Sequence, residues 1–246
     1  MNDDSSVIQV IGLAAVVGFA VLVGFWGASR ARASPGVLSC CVGVIMGIIP
    51  GTIAFEFLPA LKITSGTAPL VIGMMFAGFV LTAIFHNLVQ RRWPVHQSFE
   101  DIEMSSFILA VVTDNVVEGF TLAFSSALSV GLLLFTATAF VLKNILEGFT
   151  EATVLQWEEM SARRVWAAGL AAAMAVVIAA ALSWWFAEVG GPGEGARRVM
   201  FATVTGMLVY ISVFQLARNL EWNAIQRVSA ITGFAVTGAV ALSVGQ

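Results

Sequence analysis

The sequence predicts an all-α polytopic membrane protein whose eight transmembrane helices form a single bundle. Of its 246 residues, 59% are apolar and 11% are charged, and the mean hydropathy is +0.91. A soluble domain carries roughly 25% charged residues, so this chain has too little charge to cover a water-facing surface. Eight apolar runs are long enough to cross about 30 Å of hydrocarbon, and no segment between them could fold as a soluble domain.

The predicted helices are separated by segments rich in Gly, Pro and charge, such as KITSG and EVGGPGEGARR. The first helix follows the acidic segment 1–6 instead of a basic one, so we expect it to be retained and not cleaved as a signal peptide. All of residues 1–246 then belong to one transmembrane domain. The predicted helices cover approximately residues 7–28, 37–61, 67–89, 104–124, 130–155, 165–187, 199–217 and 228–244.

The distribution of Lys and Arg predicts how the chain lies in the membrane. The loops after the first, third, fifth and seventh helices contain eight of these residues, and the other loops contain three. Because basic loops stay in the cytoplasm, we expect both termini on the extracytoplasmic side of the cell inner (plasma) membrane.

Composition and motifs also exclude several classes of function. The net charge of −3 and the lack of a basic stripe argue against a nucleic-acid partner. Cys40 and Cys41 are adjacent in an apolar run, so they give neither a disulfide framework nor a metal knuckle. No helix contains an HExxH motif or a Ser/His arrangement, and no GxxxxGKS motif is present, so we expect neither an enzyme nor an ATP-driven pump.

Six charged residues lie inside the predicted helices. A charge at the centre of a bilayer costs at least about 2.5 kcal/mol, so each marks a candidate functional position. The six are Glu56, Asp114, Glu118, Lys143, Glu147 and Glu151. All except the first lie in the fourth and fifth helices, which are therefore expected to build the functional site.

The fourth and fifth helices carry the same motif. Residues 114–123 read DNVVEGFTLA and residues 143–152 read KNILEGFTEA, with Asn, Glu, Gly, Phe, Thr and Ala at identical spacing. Successive spans run antiparallel, so this pattern predicts an inverted repeat with a site at the midplane between its halves. Because residues i and i+4 share a helix face, Asp114 is expected level with Glu147, and Glu118 level with Lys143.

The predicted cluster is rich in oxygen and short of positive charge. Its candidate cation ligands are Asp114, Asn115, Glu118, Asn144 and Glu147. Three ionised carboxylates and one protonated lysine leave a net charge of −2, which in lipid requires a bound cation, protonated carboxyls or a water-filled cavity. Oxygen donors suit Mn²⁺, Fe²⁺, Mg²⁺ or Zn²⁺ and disfavour Cu⁺. The alternative is a structural network that locks the two helices together.

These residues resemble the ZIP family of divalent-metal transporters, particularly its GufA-like branch, whose fourth and fifth helices each carry a His-Asn-x-Pro-Glu-Gly motif. The matching residues are Asn115, Glu118 and Gly119 in the first motif and Asn144, Glu147 and Gly148 in the second. Segments 43–61 and 205–219 resemble the family's second and seventh helices. The resemblance implies a 3+2+3 bundle with both ends outside and transport of Zn²⁺, Fe²⁺ or Mn²⁺ between helices 4 and 5.

The chain departs from the family pattern at its metal-binding histidines. Those positions hold Asp114 and Lys143, and the motif prolines are replaced by Val117 and Leu146. The predicted sixth helix also lacks the acid that completes a second metal site in the family. A protonated lysine cannot ligate a metal, so Lys143 is expected to act as a tethered cation paired with Glu118 or Asp114, or as a coupled proton carrier.

Two functions therefore follow from the resemblance. The first is transport of a divalent cation as substrate, with no permanently bound cofactor. The second is a divergent ZIP-fold member that carries protons, another small ion or nothing, with Lys143 as its built-in cation. The expected partners are the metal ion and the lipid bilayer, with a second copy of the chain as a candidate for a homodimer.

Several further residues are candidates for the pathway or for packing. Glu56 is expected either at the entrance or snorkelling to the interface, Glu151 at the exit, and Gln215 along the pathway. The motif glycines, Gly119 and Gly148, are expected to permit close helix contact and not to bind the ion.

Overall fold

The computed structural model describes residues 3–31, 33–92, 104–189, 193–218 and 223–244, which contain eight long helices and no strand. All eight predicted helices are present. Most extend beyond their predicted ends, because the helical backbone continues into the polar residues that hydropathy assigns to loops. The helices are α1 (Asp3–Arg30), α2 (Pro35–Thr52, continued to Ala60 as described below), α3 (Ala68–Arg92), α4 (Met104–Leu128), α5 (Val130–Trp157), α6 (Ala162–Val189), α7 (Glu194–Arg218) and α8 (Ala224–Val244).

Seven of these helices are long and apolar enough to span a membrane. The remaining helix, α4, carries Asp114, Asn115 and Glu118. This helix packs against α5, α6 and α7, and its Asn115 and Glu118 side chains are buried. The chain is an all-helical, multi-pass membrane protein.

A π-helical turn, Ile53–Phe57, interrupts the end of α2 before a last α-helical turn, Leu58–Ala60. The Leu58 amide donates to the carbonyl of Ile53. Pro59 explains the wider turn, since it has no N–H to offer the preceding turn and its ring would clash with a carbonyl in a regular α-helix. Such turns are frequent at functional sites, and this one carries Glu56.

Packing divides the eight helices into two sets of four. In the first set, α1 packs on α5 and α6, and α4 packs on α6; in the second, α2 packs on α8 and α3 on α7. The two sets meet where α2 contacts α5 and where α7 contacts α4. One set therefore consists of α1, α4, α5 and α6, and the other of α2, α3, α7 and α8.

An internal twofold relation connects the two halves. Exchanging α1 with α6, α2 with α7, α3 with α8 and α4 with α5 converts each principal helix pair into another. The pair α1–α5 becomes α6–α4, α2–α8 becomes α7–α3, and α2–α5 becomes α7–α4. The inverted repeat therefore extends from the two motif helices to all eight.

Glycines form the closest helix contacts and obey the same relation. A methyl group at Gly148 in α5 would collide with the carbonyl oxygen of Val21 in α1, and one at Gly119 in α4 would collide with that of Val176 in α6. The same kind of contact joins α2 to α8 and α7 to α3. Gly47 meets the carbonyl of Ala230 as Gly206 meets that of Met75. Gly233 meets the carbonyl of Val44 as Gly78 meets that of Thr203. The prediction that the motif glycines serve helix packing is confirmed.

The close contact at Gly148 predicts a loss of stability on adding one methyl group. Gly148→Ala is expected to lower the free energy of unfolding by about 1–3 kcal/mol, the usual cost of overpacking, measured as a lower melting temperature in detergent. Gly119→Ala should behave alike because its environment is related by the twofold. Gly131→Ala is the matched control, since a methyl group there meets no neighbour; equal stability of the Gly148 and Gly131 variants would contradict the packing.

Candidate metal centre

The ammonium group of Lys143 occupies the centre of the α4–α5 interface. Its Nζ lies 2.5 Å from Asp114 Oδ2, 2.8 Å from Glu118 Oε1 and 2.5 Å from Glu147 Oε2. Lys143 lies in the middle of the 28-residue helix α5, and its side chain is only 1% exposed. Because an ammonium has three N–H donors, this side chain has a carboxylate acceptor for each of them.

The three carboxylates converge as the predicted register requires. One oxygen from each of Asp114, Glu118 and Glu147 lies within 4.8 Å of the others, close enough to share one cation. The sequence predicted that Lys143 pairs with Glu118 or Asp114. It pairs with both, and also with Glu147 of its own helix, because residues i and i+4 lie on one helix face.

The two motif asparagines make different hydrogen bonds. Asn144 Nδ2 donates to Glu118 Oε2 at 2.8 Å and to the backbone carbonyl of Val17 in α1 at 3.4 Å. It therefore orients the acid that is completely buried and ties the cluster to α1. Asn115 Nδ2 instead donates to the carbonyl of Val111 in its own helix, at 2.9 Å.

Three oxygen atoms of the candidate cation ligands are buried without a hydrogen-bond partner. They are Asp114 Oδ1, Asn115 Oδ1 and Asn144 Oδ1. A buried acceptor without a partner is costly, and a bound cation is one way to satisfy it. The cluster also carries a net charge of −2 when its three acids are ionised and Lys143 is protonated. The site therefore offers a divalent cation both oxygen ligands and compensating charge.

Glu151 lies on α5, one turn beyond Glu147 and outside the three-carboxylate cluster. Its side chain is 8% exposed, and its Oε2 is buried without a hydrogen-bond partner. Its role at the exit of the pathway stays a prediction.

The remaining candidates lie away from the cluster or outside the described side chains. Glu56 is half-buried in the π-helical turn of α2. Gln215 belongs to α7, but its side chain is outside the described set.

One buried polar contact was not singled out from the sequence. Ser125 Oγ and Thr136 Oγ1 lie 3.1 Å apart across the α4–α5 interface, and both residues are completely buried. Ser125 follows Glu118 by seven residues and Thr136 precedes Lys143 by seven, so both face the same interface two helical turns from the cluster. Hydroxyl residues at this spacing from both motifs are the signal that would have revealed the contact.

A family model described as ZIP Zinc transporter matches residues 96–241. The match covers more than half of the chain and contains both motif helices together with α6, α7 and most of α8. It does not include α1–α3, which the internal twofold relates to α6–α8. No curated protein matches the chain.

The ion-pair cluster predicts a strong effect of removing its single cation. Lys143→Met leaves three carboxylates without their partner in a buried interface, and stability is expected to fall by about 3–5 kcal/mol, the usual cost of breaking a buried pair from one side. The measurement is the melting temperature in detergent with a chelator present. Zn²⁺ should then restore stability to this variant more than to the unmodified protein, because a cation replaces the missing charge.

Lys62→Met is the control for that experiment, because Lys62 is exposed in the turn between α2 and α3. Its melting temperature should match that of the unmodified protein with and without Zn²⁺. If Lys143→Met were equally stable in the chelator, the ion-pair cluster would not hold the interface together.

Proposed function

The chain belongs to the ZIP zinc transporter family, and on that premise we propose that it moves a divalent cation through the oxygen-rich site between α4 and α5. Metal transport in general follows from the family. The observation that supports this particular site is the convergence of three carboxylates on one ammonium, which leaves a net charge of −2 in a buried interface. One divalent cation would neutralise that charge.

The proposed ligands are the oxygen atoms of both motifs. They are supplied by Asp114, Asn115, Glu118, Asn144 and Glu147. In this proposal Lys143 serves as a fixed cation in place of one metal ion, so a single mobile ion binds beside it. Carboxylate and amide oxygens are compatible with Zn²⁺, Fe²⁺ and Mn²⁺.

A second candidate function is favoured by the same lysine. All three N–H donors of Lys143 have a carboxylate acceptor, so the cluster already contains one bound positive group. In the alternative, this group replaces the metal permanently, and the protein carries protons, another small ion or nothing. The two functions differ in whether an added divalent cation binds beside the ammonium.

The route of the ion is proposed from the helix arrangement and the charge of the loops. We place the protein in the cell inner (plasma) membrane with its basic loops in the cytoplasm, so both termini are extracytoplasmic. Glu56 then lies toward the outer end of α2, and Glu151 lies on the cytoplasmic side of Glu147. Gln215 on α7 is a further candidate for the pathway. The ion crosses when the set containing α1, α4, α5 and α6 shifts against the other helices.

Uptake of Zn²⁺, Fe²⁺ or Mn²⁺ into proteoliposomes tests the proposed site. Glu118→Ala and Glu147→Ala each remove a charged ligand. Losing a residue that only hydrogen-bonds to a metal ligand typically lowers metal affinity roughly 10–100-fold. Initial uptake is therefore expected to fall by at least that factor in each variant. Lys143→His should bind metal more tightly than the unmodified protein, because a neutral imidazole is a ligand whereas an ammonium repels the ion.

Glu158→Gln is the matched control, since it removes an acid from the exposed end of α5 and should leave uptake unchanged. If no divalent ion alters uptake or thermal stability in the unmodified protein or in any variant, the metal-transport proposal is wrong and the alternative is preferred.

A further inference from the structure

The two copies of the repeat differ in chemical character at only two positions. DNVVEGFTLA and KNILEGFTEA carry different types of side chain at the first position, Asp114 against Lys143, and at the ninth, Leu122 against Glu151. The first difference builds the ion-pair cluster. The second places an apolar residue on one side of the cluster and an acid on the other.

Leu122 and Glu151 occupy positions related by the internal twofold, but only Glu151 has polar atoms that need partners. Leu122 is completely buried in the main apolar core, and its side chain has no polar atom that needs a hydrogen-bond partner. Glu151 is 8% exposed, and its Oε2 is buried without a hydrogen-bond partner. No ion pair joins its carboxylate to a basic side chain in the part of the chain that the structure describes.

The antiparallel arrangement determines which cluster residues lie on the same side as Glu151. It follows Glu147 by four positions in α5, so its Cα lies about 6 Å further along the helix axis on the same face. The corresponding direction along α4 runs from Glu118 toward Asp114, whose Oδ1 is also buried without a partner. Unsatisfied carboxylate oxygens from both helices therefore lie on this side of the Lys143 ammonium.

We propose that Glu151, together with Glu147, forms a second station for a divalent cation, one helical turn beyond the three-carboxylate cluster. This proposal rests on the proposed function and adds a step to it. An ion held beside Lys143 passes to Glu151 as it leaves, with Glu147 contacting the ion at both stations. Glu151 supplies a negative charge at the point where the ion leaves the full set of motif ligands. The Leu122 side has no such group, so the two directions away from the cluster are chemically different.

The experiment measures Zn²⁺ affinity and Zn²⁺ uptake on the same full-length variants. Glu151→Gln keeps the shape of the side chain and removes its charge, and Glu151→Leu introduces the residue that the other repeat copy uses. Both are expected to slow initial uptake into proteoliposomes about tenfold, the effect of losing roughly 1.4 kcal/mol of stabilisation. Their equilibrium Zn²⁺ affinity in detergent should change less than the uptake rate, because the ligands beside Lys143 are intact.

A second comparison isolates binding at the new station. Glu118→Gln weakens the first station, so the Zn²⁺ binding that remains should depend on Glu151. Adding Glu151→Gln to that variant is expected to weaken the remaining binding by a further factor of about ten. Glu158→Gln in the same background is the control and should have no effect, because this acid is exposed at the end of the helix.

The outcomes separate this inference from the function on which it rests. If the unmodified protein neither binds nor transports Zn²⁺, Fe²⁺ or Mn²⁺, both proposals are overturned. If it binds and transports one of these ions and both Glu151 variants retain full uptake and affinity, only the second station is overturned. Should Glu151→Leu fail to fold, Glu151→Gln carries the test, since its amide has nearly the same size.

Discussion

A single buried ammonium group balances the interface at which the two halves of this protein meet. Lys143 binds three carboxylates that approach within 4.8 Å of one another, and without it these like charges would repel each other in a medium that screens them poorly. Asn144 extends the network from Glu118 to the backbone of α1. The position of α5 relative to both α4 and α1 therefore depends on charge as well as on apolar packing.

The internal twofold separates the residues that shape the bundle from those that give it chemistry. Glycines that permit close helix contact recur at related places, as Gly148 on Val21 and Gly119 on Val176 illustrate. Two charged positions break the relation: Lys143 corresponds to Asp114 in the other copy of the motif, and Glu151 corresponds to Leu122. A symmetric frame therefore supports an asymmetric set of charges.

Much of the fold could be predicted because lipid imposes simple rules on sequence. Each helix was predictable from an apolar run, and the convergence of Asp114, Glu118 and Glu147 followed from the i, i+4 spacing on antiparallel helices. Two features needed the structure. Asn144 meets Val17 because glycines bring α1 close to α5, and a π-helical turn forms before Pro59 because the proline ring does not fit a regular α-helix.

The connection between α4 and α5 consists of one residue, Ser129, which also caps the start of α5 by accepting a hydrogen bond from the Leu132 amide. A linker this short, together with the ammonium bridge and the buried Ser125–Thr136 hydrogen bond, prevents the two helices from sliding past each other. The two helices form a hairpin that is held together near its turn, at the Ser125–Thr136 contact and at the Lys143 cluster. In the proposed transport cycle this hairpin would move as one rigid piece together with α1 and α6, against α2, α3, α7 and α8.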